Sequence, residues 1–306
     1  MGFLYHTFPV SGVETWVWLP PLVAFVISLF TAMGGVSGAF LLLPFQVSVL
    51  GFTSPAVSAT NQVFNIAATP SGAYRYFREG RMLWPLGWTL VAGAVPGIVL
   101  GALIRLHWLP DPTRFKLFAG LVLAYIGVRL IADMAARRSR SAARATERWD
   151  SGAGLEFVTL AGGHLRYGYG GRIHEAKLLP LLSLSLAVGT VGGVYGIGGG
   201  AMIAPLLVAL LGLPVHTVAG ATLFATLVTS VAGVLCYQLL APFYPTLSVA
   251  PDWTLGLLFG AGGAAGMYCG ACLQRWVPEV WIKGLLALCL LVPAGGYIAG
   301  FLLATR

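Results

Sequence analysis

Charge is what this sequence has least of. Only 9% of its 306 residues are Asp, Glu, Lys or Arg, against about a quarter in a soluble globular domain. With a mean hydropathy of +0.84, such a chain cannot cover its own surface with polar groups in water. No charged residue occurs from Thr15 to Tyr74, Met82 to Ile104, Leu178 to Pro251, Trp253 to Gln274 or Gly284 to Thr305. A spanning helix takes roughly 20 apolar residues, so these windows hold several spans. The fold class is all-α, a polytopic integral membrane protein.

The shortage of acids narrows the chemistry. The ten are Glu14, Glu79, Asp111, Asp133, Glu147, Asp150, Glu156, Glu175, Asp252 and Glu279, all at segment ends or in loops. Cation pumps and many proton antiporters carry carboxylates at membrane depth. Here the depth offers hydroxyls, amides and backbone N–H groups instead, a set that suits a small oxyanion. The four cysteines (Cys236, Cys269, Cys272, Cys289) lie inside apolar segments, which excludes a secreted disulfide framework. No GxxxxGK[ST] motif is present, so transport is expected to be secondary or facilitative, with no cofactor and no metal. The first twelve residues lack Lys and Arg, and no clear cleavage site follows the first apolar stretch. It is expected to be a retained span rather than a signal peptide.

The net charge of +8 does not point to nucleic acid. Eight of the eighteen basic residues fall between Arg137 and Lys177, as in a positive-inside loop. That polar stretch divides the chain into a first membrane repeat (1–134), a basic cytoplasmic insert (135–177) and a second membrane repeat (178–306). Alternation around Gly162-Gly163 predicts a small hairpin in the insert.

The apolar segments come in two matching sets, at 16–33, 39–50, 55–73, 84–104 and 115–134, then at 178–195, 201–211, 215–240, 254–273 and 281–303. Gly35, Gly38, Pro44, Gly51 and Gly72 recur 161 residues on as Gly196, Gly199, Pro205, Gly212 and Gly233; Gly93, Gly97 and Gly101 recur 169 on as Gly262, Gly266 and Gly270. The chain is an internal duplication, each half with about four spanning helices and one short broken or re-entrant helix. Twelve helical residues reach about 18 Å, short of a hydrocarbon core of about 30 Å. A glycine cluster precedes each short segment and frees backbone N–H groups, which a membrane tolerates only inside protein or against a polar cavity. Equivalent interruptions in two halves point to a transporter site; the other reading is close helix packing.

Gly196-Ile197-Gly198-Gly199-Gly200, Pro205, Gly212-Leu213-Pro214 and Ala219-Gly220-Ala221-Thr222 resemble the glycine-rich repeat of the TauE/SafE family, the toluene-sulfonate uptake permease group. In the first half Gly35-Val36-Ser37-Gly38, Asn61, Asn65, Gly72 and Tyr76 fit it more loosely. The resemblance implies a permease of sulfite or organosulfonates in a bacterial inner membrane, its partners a small anionic substrate and lipid. Whether it forms a homo-oligomer stays open.

Candidate substrate-binding residues are Gly35, Ser37, Gly38, Gly198, Gly199 and Gly200 at the breaks, with Asn61, Asn65, Thr222 and Thr226 on the following helices. Asn61, Asn65 and Thr69 step by four along one stripe, and Thr222, Thr226 and Ser230 occupy the aligned positions. Asn61 is the leading candidate, because an amide donates to an oxyanion without holding it as Arg would; interhelical bonding is the competing role. Arg129 reads as a snorkelling base near Asp133, and His216 as a weaker candidate for a coupling proton. Two other functions are distinguishable. Gly35-Val36-Ser37-Gly38 matches the GxSG of intramembrane serine proteases, which need a base beside the serine; an anion channel would need no alternating access. Topology also stays open, as four crossings per half with parallel halves or five with inverted halves.

Overall fold

The computed structural model describes residues 5–34, 37–78, 82–140, 155–169, 172–211, 213, 215–273 and 279–304. Among them are ten α-helices: α1 (Leu19–Gly34), α2 (Ala39–Ser48), α3 (Ala56–Arg78), α4 (Trp84–His107), α5 (Pro112–Arg140), α6 (Leu178–Tyr195), α7 (Gly200–Leu211), α8 (Val215–Leu240), α9 (Trp253–Leu273) and α10 (Glu279–Ala304). Both halves therefore read long, short, long, long, long. Five of these helices are long and apolar enough to cross a membrane: α4, α5, α6, α8 and α10. The polar-striped α3 is not among them.

Two elements lie outside the helices. A hairpin of β1 (Tyr5–Thr7) and β2 (Glu14–Trp16) precedes α1; each strand is three residues long, too short to show as an alternating run. In the insert, β3 (Leu155–Ala161) and β4 (His164–Tyr169) form the hairpin expected at Gly162-Gly163. Both glycines have positive φ, +58° and +76°, as a two-residue hairpin turn of type I′ requires. A third strand, β5 (Arg172–Lys177), completes an antiparallel sheet. Leu165, Tyr167 and Ala176 on one face are buried, and the Tyr167 hydroxyl lies 2.9 Å from that of Thr217 at the start of α8. On the other face Arg166 and His164 hold Glu175, and Arg166 chiefly draws its carboxyl below the usual range.

The halves are interlaced by glycine. On α9, a Cβ on Gly262, Gly266 or Gly270 would strike Pro21, Phe25 or Leu29 of α1. On α4, Gly93, Gly97 and Gly101 meet Leu182, Leu186 and Thr190 of α6 in the same rising order. The first helix of each half thus runs parallel to the fourth helix of the other, backbone against backbone. This is the small-xxx-small contact that lets helices associate in lipid. Meanwhile α3 crosses α8 antiparallel, Gln62 meeting Gly233 and Ser58 neighbouring Tyr237. Helices α5 and α10 are likewise antiparallel, with Gly120 on Tyr297 and Gly127 on Leu291.

These directions decide the topology. The chain enters α6 directly from the sheet, turns at Gly196, and returns through α7 so that α8 starts beside the same sheet. In the first half α1 starts from the β1–β2 hairpin, and α3 starts at that end too: Ala56 N–H donates to Ser248 O, and Ser248 Oγ to Val10 O. Each short helix therefore brings the chain back to the side its half started from. Three further helices alternate after it, so the halves are inverted. Parallel halves would have required α3 and α8 to run in the same direction.

Candidate functional site

The two helix breaks meet at the centre. Tyr195, the last residue of α6, is fully buried, and its hydroxyl donates to Phe40 O at the start of α2, 2.9 Å away. The two rings lie 6.1 Å apart. Gly196 ends α6 with φ +84°, and Gly198 follows with φ +71°, conformations that L side chains rarely adopt. Gly35 and Val36 lie outside the described residues. Ser37 Oγ accepts the Ala39 N–H, 3.3 Å away, and so caps the turn into α2.

The described break glycines are packed against protein. A Cβ on Gly196 would lie 2.7 Å from Ser58 Cα of α3. On Gly38 it would lie 2.9 Å from Ser28 Oγ, on Gly198 2.7 Å from Ser230 Oγ, and on Gly199 2.6 Å from Ala94 Cβ of α4. On Gly200 it would strike Thr222 O. The Gly199 N–H donates to Thr229 Oγ1, 2.9 Å away.

The helices behind the breaks carry the polar stripe. Thr60, Asn61, Asn65 and Thr69 of α3 and Thr222, Thr226, Thr229 and Ser230 of α8 are all buried. Their bonding differs sharply. Asn61 Nδ2 donates to Ala39 O at 3.1 Å, and Asn61 Oδ1 accepts from Gln46 Nε2 at 3.3 Å. Its amide thus pins α2 to α3. The Thr222 and Thr226 hydroxyls turn back onto Ala219 O and Thr222 O of their own helix. Asn65 Nδ2 and Ser230 Oγ, by contrast, are buried without a hydrogen-bond partner.

Asn61→Ala is therefore expected to lower stability by about 1–2 kcal/mol, since it removes two interhelical hydrogen bonds and takes the partner from the buried Gln46 amide nitrogen. Apparent affinity for anions should change less than threefold in the protein that still folds. Thermal unfolding and anion binding on one purified preparation would check both halves of that expectation.

Two residues escaped the sequence reading. Gln62 is fully buried with both amide atoms unpartnered, against Gly233. Arg105, near the end of α4, is fully buried too. Arg105 donates to Leu109 O and to Thr53 O, and its guanidinium carbon lies 3.7 Å from the centre of the Phe115 ring. It pairs with no carboxylate among the described residues. It is folded inward and joins two loops. Arg129 is half-buried and donates to Tyr125 Oη, 3.0 Å away. The side chains of Asp133 and His216 lie outside the described residues.

The family described as sulfite exporter TauE/SafE matches residues 21–297. A protein of Xylella fastidiosa (strain 9a5c) named "Probable membrane transporter protein" is 23% identical over 253 residues, 82% of this chain and 81% of that relative. "Probable membrane transporter protein YunE" of Bacillus subtilis (strain 168) is 22% identical over 205 residues, 67% of this chain and 66% of that relative. No solved structure matches the chain.

Proposed function

This chain belongs to the TauE/SafE family of membrane transporters, and on that premise we propose that it carries small sulfur oxyanions, sulfite or organosulfonates, as a secondary exporter. The observation that carries the reading is the meeting of two inverted, glycine-broken hairpins at buried, uncharged polar side chains. Inverted repeats with interrupted helices supply two equivalent gates around one central site, so rocking one half against the other exposes that site alternately. The amides and hydroxyls of the two polar helices would complete the shell. A neutral shell holds an oxyanion by hydrogen bonds of about 1.5–3 kcal/mol each, strong enough to select it and weak enough to release it.

The distribution of basic residues supports a cytoplasmic sheet. Helix ends and strands on that side carry Arg75, Arg78, Arg137, Arg138, Arg140, Arg166, Arg172 and Lys177, whereas the opposite end carries Arg105, Arg114 and Lys116. Cytoplasmic segments hold such an excess. On this reading the chain divides into a first membrane repeat, a cytoplasmic insert and a second membrane repeat, with α5 running past residue 134 to Arg140.

Purified protein in liposomes should take up sulfite or methanesulfonate saturably, and cells expressing it should lose intracellular sulfite faster than controls. Absence of flux for both anions would overturn the substrate reading; uptake into cells without efflux would overturn the direction.

A further inference from the structure

We propose that the substrate is held at the α3–α8 crossing by Gln62, Asn65 and Ser230, which form an uncharged site for a monovalent sulfur oxyanion. The inference rests on the transport reading above and names the groups that would read the anion.

The register of the crossing places the site. The two helices run antiparallel, with Ser58 beside Tyr237 and Gln62 against Gly233. One turn further along α3 lies Asn65, and one turn back along α8 lies Ser230, so these two stand at the same level. The duplication maps Asn65 onto Thr226 and Ser230 onto Thr69. The image layer, Thr69 beside Thr226, lies one turn on along the same crossing, so the axis relating the halves runs between the two layers, about half a turn from Asn65 and Ser230. The second break reaches the same layer: a Cβ on Gly198 would fall 2.7 Å from Ser230 Oγ. Only a glycine leaves backbone that close to the hydroxyl.

The bonding supports a ligand rather than glue. Gln62 Nε2 and Oε1, Asn65 Nδ2 and Ser230 Oγ are all buried and unpartnered, on residues no more than 2% exposed. Folded proteins pair nearly all such atoms, and clusters of exceptions call for a water, an ion or a ligand. A few residues away Asn61 shows what interhelical bonding looks like here, with both ends of its amide paired.

Charge sets the class of anion. The Gln62, Asn65 and Ser230 side chains are neutral. The cost of moving an ion out of water rises steeply with its charge, and neutral donors recover less of it than a cation would. Such a shell favours sulfonates and hydrogen sulfite over sulfate.

The test uses the full-length protein purified in detergent and then in liposomes, with Gln62→Leu, Ser230→Ala and wild type compared for thermal stability and for sulfite and methanesulfonate binding. An unpartnered amide replaced by an apolar side chain of similar size should leave stability unchanged or raise it. Gln62→Leu is expected to unfold no earlier than wild type while losing at least tenfold in affinity for both anions, with Ser230→Ala losing several-fold. Methanesulfonate should compete with sulfite, and equimolar sulfate should not. If Gln62→Leu does not fold, Ser230→Ala, which removes a single oxygen, decides. Unchanged affinity in the folded variants, or equal competition by sulfate, would reject the site while leaving transport intact. A wild type that neither binds nor carries either sulfur oxyanion would overturn the transport reading and the site together.

Discussion

Gly196→Ala is expected to cost about 3 kcal/mol or more, enough to lower the unfolding temperature by about 5 °C in a chain of this size. Two effects add. Gly196 ends α6 at φ +84°, where a side chain costs about 1–2 kcal/mol. Its new Cβ would also lie 2.7 Å from Ser58 Cα and 2.8 Å from Ser58 C, backbone atoms that cannot turn away as a side chain could. Ser58 Oγ donates to Val194 O at 2.7 Å, so pushing α3 off the break would cost that bond as well. Unfolding followed in detergent, beside Gly51→Ala, separates the terms. Gly51 has φ +69° but nothing within 4 Å of its Cβ position, so it should show the conformational cost alone. Equal losses in the two variants would show that the close approach to Ser58 carries no weight.

Gly97→Leu is expected to be at least as damaging, by a different route. Gly97 sits mid-seam between α4 and α6, where a Cβ would lie 2.8 Å from Thr190 N and 3.0 Å from Gly189 C. A leucine there would force the two helices apart along a contact that runs from Gly93 to Gly101. Overpacking a well-packed interior typically costs 1–3 kcal/mol, and more when backbone must move. The protein is expected to be recovered in much reduced yield, and to unfold well below wild type. Gly266→Leu, its counterpart on the α1–α9 seam, should behave alike. Gly296→Leu is the control: nothing lies within 4 Å of its Cβ position, and replacing a helical glycine gains up to about 1 kcal/mol. A wild-type melting temperature for Gly97→Leu would mean that the seams do not hold the halves together.

Much of this architecture was legible in the sequence because a membrane makes charge so costly. The apolar segments anticipate the ten helices, although α3 and α5 run on past them into basic residues, and the paired Gly35/Gly196 and Gly93/Gly262 series expose the duplication. The partners of those glycines were not legible. Gly97 and Gly101 reveal a smooth helix face, but not that it meets α6 of the other half, since periodicity marks a face and never its neighbour. The inverted topology was hidden for a related reason: a helix of ten residues in α2 says how far the chain travels, not the direction in which it leaves.

The candidate site was legible in outline and not in detail. The i, i+4 stripe from Asn61 to Thr69 is buried as expected, yet Asn61 is consumed by Ala39 and Gln46, a choice set by the exact height of α2 beside α3. Gln62 falls off that stripe and aligns with Leu223 in the second half, so neither spacing nor repeat singled it out. A separate groove of about 410 Å³ between α5, α6 and α7 is lined mainly by apolar side chains such as Phe118, Val188 and Met202.

Counterflow tests the central claim most directly. Liposomes containing the protein are loaded with unlabelled sulfite and diluted into a trace of radiolabelled sulfite. A carrier that exposes one central site alternately to each side should accumulate label transiently above its outside concentration, driven by the outward gradient of sulfite alone, with no other ion gradient and no nucleotide. The account predicts that overshoot, and its loss in Gln62→Leu. Label that enters without overshoot, at a rate rising linearly with sulfite concentration, would contradict it and identify an open anion pathway instead.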